Sequence, residues 1–421
     1  MGFAKNRAMG EEEQGWHFSS QYVCPDCVDE PALVAVLTAA ARPEVTCDFC
    51  GSTPAAPLDV LLEALVTGFQ TEYERDPGLP WELPEEYSYF QLACMSTQLL
   101  VLSHSDMFAN SRLLEAVEDG ICEADWLEQG FLYPTRFVTL SIGWNRFCQA
   151  VKHETRYVFW FRHHEGEPGD DPDLRLPISS ILLELAGVIA RLGLVRRLPA
   201  GTRFYRARTH STELDGPKAA ADLGTAKLDQ VKRGNRMSPA GIPMFYGSEQ
   251  DDVAIDEVSQ GVSDGWVTVG AFETSELIFV LDLTDLPDTP SMFEPGHNVN
   301  SRKEIEFLYH FVNELSRPIK TEDEEIDYVP TQVVSEYVMR MLQESLPSQF
   351  RQQVVGILYP SAVRDRSAPR SLLGGVSVVL DIPRSRCIDR GQELPRGRGP
   401  CLILEQESLR TAQLPGSSAQ E

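Results

Sequence analysis

The chain has 421 residues, of which 42% are hydrophobic, so it is long enough for two or three domains with ordinary folded cores. Its 37 basic and 63 acidic side chains give a formal net charge of −26 at pH 7. Coating a nucleic acid requires clustered lysine and arginine that neutralise phosphates, so this charge disfavours such a role, and a local basic pocket remains compatible with it.

The start of the chain, MGFAKNRAMGEEEQ, lacks the apolar core of a signal peptide, and no apolar stretch approaches the ~20 residues that span a bilayer. Five of the nine cysteines are isolated along the sequence, which is typical of free thiols in a reducing compartment. We therefore expect a cytoplasmic protein without membrane association, whose residues 1–20 are flexible.

The other four cysteines form two C-x2-C pairs, in YVCPDCVDE and TCDFCGS, with 19 residues between the pairs. They are Cys24, Cys27, Cys47 and Cys50. Each pair suits one side of a tetrahedral Zn²⁺ site, and the intervening loop is long enough to bring the pairs together. Because four thiolates leave no open position for water, the sequence predicts a structural Zn²⁺ in a knuckle over residues 21–52.

Residues 53–195 have a helical pattern. Leu61, Leu65 and Phe69 form one apolar stripe with Leu62 and Val66 beside them, at spacings of three and four. The run ISSILLELAGVIARLGLV has the same periodicity, and its Gly193 fits a helix C-cap. The acidic, breaker-rich segment EGEPGDDPD at 165–173 is interpreted as a surface loop.

Beyond Pro199 the sequence pattern changes to short strand-like runs, which are TRFYRAR, ELIFVLDL, VVGILYP and VSVVLDI. They are separated by helical stretches such as EIEFLYHFVNEL and TQVVSEYVMRML. This mixture predicts an α+β domain over residues 196–383. Residues 384–421 mix proline, glycine, serine and charge, so a flexible tail is expected.

Several side chains in this domain have the chemistry of a nucleotide site. Arg206 and Tyr205 lie in a predicted strand, and Glu257 follows on a helical face that it shares with apolar residues, which predicts a half-buried carboxylate. Arginine holds pyrophosphate, tyrosine stacks on nicotinamide, and a carboxylate stabilises the positive charge on ribose as a glycosidic bond breaks. NAD⁺ is such a ligand, although the tyrosines could equally be strand core and Glu257 part of a structural ion pair.

The ordered motifs YRAR, NRMSPAGIPMFYGS, YVPTQVVSEY and ILYPSAVR resemble those of the RES domain, which is named for its arginine, glutamate and serine. The resemblance places these family residues on Arg206, Glu257 and Ser361, places the family tyrosine on Tyr246, and adds Arg236 as a further pocket residue.

This resemblance covers about residues 200–382. It implies a fold similar to ADP-ribosyltransferases and the activity of toxins that destroy NAD⁺ by hydrolysis or phosphorolysis. Compact RES toxins pair with a helix-turn-helix antitoxin, which implies an antitoxin or immunity protein as a partner.

The N-terminal part, including WNRFCQAVKHETRYVFW from Trp144, resembles the helical HEPN-type domain found ahead of some RES domains. HEPN ribonucleases use an Arg-x(4–6)-His signature, and six residues separate Arg146 from His153. In a homo-oligomer these side chains would face a phosphodiester, whereas the simpler interpretation makes them surface or capping residues, and RNA is not the expected partner.

Three functions follow from these observations. The first is an enzyme that cleaves the nicotinamide–ribose bond of NAD⁺ as a bacterial toxin or defence effector. The second is an ADP-ribosyltransferase that modifies a macromolecule, and the third is an inactive, zinc-stabilised interaction protein that binds a nucleotide.

Overall fold

The computed structural model describes most of the chain, and its contacts divide into two compact units. The N-terminal unit comprises Met1–Val138 and Asp288–Glu306, and the C-terminal unit comprises Thr139–Pro287 and Phe307–Glu421. The described residues are 9–77, 94–130, 134–161, 176–260, 262, 264–296, 299–317, 319, 323–345, 353–361 and 375–414. The predicted acidic loop at 165–173 lies outside them.

The N-terminal unit combines helices with two small antiparallel sheets. Its strands are β1 (Tyr22–Val23), β2 (Ala56–Pro57), β3 (Tyr73–Arg75), β4 (Met95–Ser96) and β5 (Asp125–Glu128), with β1 paired to β2 and β5 between β3 and β4. Its helices are Pro31–Ala40, Leu58–Glu72, Thr97–Ser103 and Ser111–Gly120. The apolar stripe predicted from Leu61 to Phe69 lies on Leu58–Glu72 and is buried in the core of this unit.

The expectation of a flexible start is wrong for part of residues 1–20. Trp16 forms a β-bridge with Ile121, and its side chain is buried in the core of the N-terminal unit. The Trp16 ring also packs edge-on against Phe18, with ring centroids 5.1 Å apart. An indole buries a large apolar area, which is enough to fix this segment to the core.

The C-terminal unit is built on a ten-stranded mixed sheet. Its strands are β6 (Val195–Leu198), β7 (Arg203–His210), β8 (Phe245–Ser248), β9 (Trp266–Thr274), β10 (Ile278–Asp282), β11 (Val354–Pro360), β12 (Val376–Leu380), β13 (Cys387–Asp389), β14 (Leu402–Leu404) and β15 (Arg410–Gln413). The order is β13-β14-β9-β7-β8-β12-β11-β10-β6, and β15 also pairs with β9. The pairs β10–β11 and β13–β14 are parallel, and the other pairs are antiparallel.

The remaining helices are Arg136–His153, Ile181–Arg191, Ala220–Leu223, Asp251–Ser259, Val299–Ser316, Glu324–Asp327, Val329–Arg340 and Leu342–Ser345. The predicted strands and helices beyond Pro199 are therefore confirmed. Gly193, just beyond Ile181–Arg191, has a φ of +66° and suits the predicted helix C-cap, because glycine has no Cβ to oppose that conformation. Among the described residues, no helix combines the length and apolar character needed to cross a membrane.

The expectation of a flexible tail over residues 384–421 is wrong as far as Leu414. Strands β13, β14 and β15 join the large sheet, and the side chains of Cys387, Leu402 and Leu404 are buried. Composition alone hid these strands because glycine- and proline-rich loops separate three segments of only three or four residues each.

Strand β7 divides its side chains between the two faces of the sheet. Tyr205 and Ala207 pack on one face with residues of the helix Asp251–Ser259, whereas Phe204 belongs to a separate core cluster on the other face. Because side chains alternate along a strand, Arg206 lies on the Phe204 face.

Strands β7 and β8 form an interrupted ladder. They share one registered pair, Tyr205 with Ser248, while β7 pairs with β9 along its whole length. Continued pairing with β8 would place Arg206 opposite Gly247 and Ala207 opposite Tyr246. Instead the two strands part there and open the sheet.

Candidate active site

A cavity of about 110 Å³ lies where β7 and β8 part. It is lined by Arg206, Ala207, Tyr246, Gly247, Ala254, Glu257, Val258, Tyr359 and Ser377. A Cβ at Gly247 would lie 2.7 Å from the backbone oxygen of Tyr205, so glycine is required for the close approach of the two strands beside the cavity. The opening is thus lined by residues from four strands and one helix.

The carboxylate of Glu257 is held by two serine hydroxyls. Ser361 Oγ donates to Glu257 Oε1 at 2.5 Å, and Ser377 Oγ donates to the same oxygen at 3.0 Å. Both serines are buried, at 4% and 2% exposure. The carboxylate oxygen Oε2 forms no hydrogen bond to a described residue, so it is available to a ligand.

The fold explains how these three side chains meet. Val253 and Ala254 anchor the helix Asp251–Ser259 through their buried side chains, and Glu257 lies one turn further along the same face. Ser361 directly follows β11, where its amide donates to Gly375 O at 3.0 Å, and Ser377 lies on β12 opposite Tyr359 of β11.

The expected half-burial of Glu257 is wrong. The residue as a whole is exposed, although its Oε1 atom is bound by two buried hydroxyls. The helical pattern correctly places Glu257 beside apolar residues, but it does not show that the cavity opens at this position. An exposed carboxylate with one oxygen fixed keeps a defined direction and remains accessible.

Arg206 lies at the cavity and is held by the backbone and by an aromatic ring. Its Nη1 donates to Tyr246 O at 2.6 Å, and its guanidinium carbon lies 5.1 Å from the ring centroid of Phe245. The buried Nε atom has no hydrogen-bond partner among the described residues. Burial, with repulsion from Arg208, lowers the pKa of Arg206 to about 10, so the group remains charged at neutral pH.

Two phenols line the cavity. Tyr246 OH lies 2.8 Å from Ser238 Oγ, and burial raises the pKa of Tyr246 to about 12. Burial and the neighbouring Glu257 raise the pKa of Tyr359 well above its ordinary value. Both phenols are therefore neutral at physiological pH and offer hydroxyl dipoles and ring faces to a ligand.

Tyr205 and Arg236, which are predicted to bind substrate, are not among the residues that line the cavity. Tyr205 faces the helix Asp251–Ser259 and packs against its apolar cluster. Arg236 donates through Nη1 to Leu315 O at 2.7 Å and to Arg317 O at 2.8 Å, and it lies over the ring of Tyr328. Neither residue lines the cavity, but Arg236 is close enough to Tyr246 and Tyr359 to oppose the rise in their pKa, so a role of these residues in substrate binding stays a prediction.

Ser377, Tyr359 and Ser238 belong to the site and were not predicted from sequence. Ser377 is the one polar residue of VSVVL, and Tyr359 belongs to ILYPS beside Ser361. A polar residue inside an otherwise apolar buried strand was a usable signal, because a buried hydroxyl requires a hydrogen-bond partner.

The four predicted metal ligands form one cluster in the N-terminal unit. The sulfur atoms of Cys24, Cys27, Cys47 and Cys50 lie within 4.8 Å of one another. Tetrahedral Zn²⁺ with thiolate bonds of about 2.3 Å places sulfurs about 3.8 Å apart, so the donor set fits a zinc ion. Asp48 joins the knuckles, since its amide donates to Tyr22 O at 2.9 Å and its carboxylate accepts from the Tyr22 amide at 2.6 Å.

Burial makes this cluster unfavourable for bare thiolates. It raises the pKa of Cys24 to about 11 and that of Cys27 further, whereas hydrogen bonds from Ser52 lower the pKa of the exposed Cys50 to about 6. A divalent cation would supply the charge that stabilises the thiolates, and Asn110, whose Nδ2 donates to Cys27 Sγ at 3.7 Å, would support that ligand.

The proposed ribonuclease pair lies on the helix Arg136–His153, which confirms the helical prediction from Trp144. Arg146 is half-buried and His153 is exposed at the end of the helix. They are seven residues, or about two turns, apart, which places them on one face at a separation of about 10 Å along the axis. The structure does not bring the two side chains together within one chain.

Comparison with known families found two matches. A family model described as HEPN/RES N-terminal domain 1 matches residues 40–165, and a model described as RES domain matches residues 203–380. No curated protein and no solved structure matches the chain.

Proposed function

We propose, from the premise that this chain is a RES-domain protein with a HEPN/RES N-terminal domain 1 ahead of the RES domain, that it cleaves the nicotinamide–ribose bond of NAD⁺. The RES domain is associated with NAD-related toxin activity. In this proposal the C-terminal unit is the catalytic part, with an ADP-ribosyltransferase-like fold, and the protein acts as a bacterial toxin or defence effector restrained by an antitoxin or immunity protein.

The observation that supports the proposal most directly is the pair of serine hydroxyls on one oxygen of Glu257. Ser361 and Ser377 fix Oε1, so the carboxylate is oriented before substrate arrives and does not need to reorganise during the reaction. A preorganised carboxylate with a free oxygen is the group that a developing positive charge on ribose requires.

The size of the cavity limits which part of the substrate it holds. At about 110 Å³ it is well below the ~300–1,000 Å³ of pockets for drug-sized ligands. It is suited to the nicotinamide end of NAD⁺, flanked by the rings of Tyr246 and Tyr359. The pyrophosphate and adenosine would then lie outside the cavity, with Arg206 at its edge.

The proposed reaction breaks the bond between ribose C1′ and the nicotinamide nitrogen, and both electrons leave with neutral nicotinamide. Positive charge develops on the ribose, where Glu257 Oε2 stabilises it more than it stabilises the ground state. An oxygen of water or of inorganic phosphate then forms the new bond to C1′, and a proton passes to solvent. The products are nicotinamide with ADP-ribose, or nicotinamide with ADP-ribose 1″-phosphate.

We propose Zn²⁺ as the structural cofactor of the cysteine cluster. Its support is the four-sulfur geometry, and the ion would stabilise the fold around the two knuckles without taking part in NAD⁺ cleavage.

The exposure of Glu257 favours a second candidate function, transfer of ADP-ribose to a macromolecule. An accessible carboxylate leaves room for an acceptor side chain at C1′. The third candidate, an inactive nucleotide-binding interaction protein, predicts that NAD⁺ binds and remains intact.

One experiment separates these candidates. Purified full-length protein is incubated with NAD⁺, with and without inorganic phosphate and with and without a protein extract, and the products are identified by mass spectrometry. Free ADP-ribose or its phosphate ester supports the proposal, and ADP-ribose found only on protein supports transfer. Intact NAD⁺ under all conditions contradicts both.

A further inference from the structure

Three arginines gather at one region of the sheet in the C-terminal unit. Arg206 and Arg208 are two residues apart on β7 and share a face. Arg384 follows β12, and its Nη1 donates to Thr225 O at 3.4 Å. Thr225 is itself fixed, because its hydroxyl donates to Ile382 O at 2.7 Å and its amide donates to Cys387 Sγ at 3.5 Å.

The positive charge of Arg208 is close enough to those of Arg206 and Arg384 to repel each of them. Burial and the neighbouring Arg208 lower the pKa of Arg206, and burial and the neighbouring Arg384 lower the pKa of Arg208. Like charges at half-buried positions raise the free energy of the folded state unless an opposite charge compensates them.

No carboxylate supplies that compensation among the described residues, since none lies within 4.0 Å of the three guanidinium groups. Asp222 favours the charged form of Arg208 from a greater distance. Two other arginines of the same sheet are paired: Arg203 with Glu273 at 2.8 Å and Arg196 with Asp282 at 3.0 Å. Arg206 and Arg208 differ from these two in having no carboxylate within 4.0 Å among the described residues.

We infer that Arg206, Arg208 and Arg384 form a binding site for phosphate oxyanions. Guanidinium groups bind phosphate through paired N–H donors, and the buried Nε of Arg206, which lacks a partner in the described structure, is one such donor. Arg384 lies beyond residue 380, where the match to the RES family ends, so this site extends past the family domain.

Arg206 connects the two places: it is one of the residues that line the cavity where β7 and β8 part, and its guanidinium lies on the Phe204 face of the sheet, over the ring of Phe245. This step rests on the proposed function: the cluster would hold the pyrophosphate of NAD⁺ while the nicotinamide end enters the cavity. Inorganic phosphate acting as the acceptor is the alternative source with the same chemistry.

The first test measures binding to the full-length protein by calorimetry, with ADP and with inorganic phosphate as probes. Arg208→Gln and Arg384→Gln are expected to weaken ADP binding at least tenfold, and Arg384→Lys, which keeps the charge, is expected to be intermediate. The matched control is Arg203→Gln on the same strand, which should bind ADP like the wild type. Unchanged ADP binding in both glutamine variants would overturn the inference.

A second readout covers the effect of the substitutions on folding. Removing one of three repelling cations should leave the melting temperature of the ligand-free protein unchanged or raise it. ADP should no longer raise the melting temperature by more than sodium chloride does at equal ionic strength. Glutamine variants that melt lower than the wild type without ligand, and keep the full ADP stabilisation, contradict the site.

Kinetics distinguish the two sources. If the cluster holds pyrophosphate, Arg384→Gln raises KM for NAD⁺ whether or not phosphate is present. If it holds the acceptor, the variant loses the dependence of the rate on phosphate instead. ADP binding that depends on Arg384 in a protein that never cleaves NAD⁺ would keep the site and reject the proposed function. If the protein cleaves NAD⁺ but binds ADP equally well without Arg384, the proposed function is kept and the arginine site is rejected.

Discussion

The cysteine cluster of the N-terminal unit and the arginine cluster of the C-terminal unit pose the same electrostatic problem with opposite sign. Four thiols crowd together within 4.8 Å and become mutually repulsive once they lose their protons. Three arginines crowd together with no carboxylate contact among the described residues. Each cluster is unfavourable alone, and each is explained by a ligand of the opposite charge.

The two clusters differ in how the sequence assembles them. Each cysteine pair is local, and backbone hydrogen bonds close its turn: the Cys27 amide donates to Cys24 O at 3.2 Å and the Gly51 amide to Cys47 O at 3.0 Å. The arginines come from a strand and from a loop more than 170 residues further along the chain. We therefore expect loss of the metal ion from the cysteine cluster to affect folding, and loss of an arginine from the arginine cluster to affect phosphate binding.

The largest effect is expected on removing the metal. Structural zinc contributes about 10–16 kcal/mol in zinc-finger peptides, so chelation or Cys27→Ser should unfold the region around the knuckles. Calorimetric melting together with metal analysis checks this, and about one Zn²⁺ per chain is expected. Cys94→Ser, at an isolated cysteine, is the control. A wild-type protein without metal that melts as the metal-loaded form does would contradict the zinc proposal.

Glu257→Gln should have the next largest effect, and it acts on turnover. The substitution keeps the shape and removes the charge that faces the developing positive ribose, so kcat should fall by roughly two orders of magnitude or more. Binding of NAD⁺ should change little. Glu276→Gln, an exposed carboxylate elsewhere in the same unit, should retain wild-type turnover. A folded Glu257→Gln variant that still empties the NAD⁺ pool of a bacterial host would show that this carboxylate is misassigned.

Arg206→Ala should weaken binding more than turnover. Loss of a bidentate phosphate partner is expected to raise KM for NAD⁺ roughly ten- to a hundredfold. This corresponds to the free energy that a hydrogen bond to a charged group contributes. Because Arg206 also contacts Tyr246 O and the Phe245 ring, circular dichroism must first establish that the variant is folded. A normal KM with a reduced kcat would place Arg206 at the reacting bond instead.

The two serine-to-alanine variants should lower kcat by different amounts. Hydrogen bonds to a charged group contribute about 1.5–3 kcal/mol, so each serine-to-alanine change should lower kcat about tenfold or more. Ser361→Ala should have the larger effect, because its hydrogen bond to Glu257 is 2.5 Å long and that of Ser377 is 3.0 Å long. The double variant should approach the Glu257→Gln rate. Additive, unequal losses that do not converge on that rate would argue that the serines act separately from the carboxylate.

The smallest effect is expected for His153→Ala, which lies outside both clusters. NAD⁺ consumption should be unchanged, because His153 is exposed and does not line the cavity. An RNA cleavage assay on the wild type and on this variant tests the ribonuclease alternative. RNA cleavage by the wild type that His153→Ala abolishes would establish a second activity, and its absence in the wild type would remove that alternative.

The sequence was informative where the chemistry is local. Two C-x2-C pairs predict a cluster because the spacing itself closes each turn, and short strand-like runs identify the strand of Arg206 and the strand before Ser361. It was less informative for groups that meet through the sheet. Ser377 reaches Glu257 only because β12 pairs with β11, and the exposure of Glu257 depends on where β7 and β8 part.

Residue type also did not show how two predicted site residues are held in the folded chain. Tyr205 and Arg236 have the side chains that a nucleotide site uses, but one packs into an apolar cluster and the other binds backbone oxygens. The same donors and rings serve folding and binding, so composition could not separate the two uses.

The pairing of β9 with the last strands of the chain sets a limit on how far this protein can be shortened. One edge of β9 is covered by β7, and the other is covered by β14 towards Thr274 and by β15 towards Trp266. A chain cut after residue 383, close to the end of the family match, would leave this long, largely apolar strand with a bare edge. Such edges recruit strands from other molecules, so the shortened protein is expected to aggregate, and the folding unit extends to Leu414.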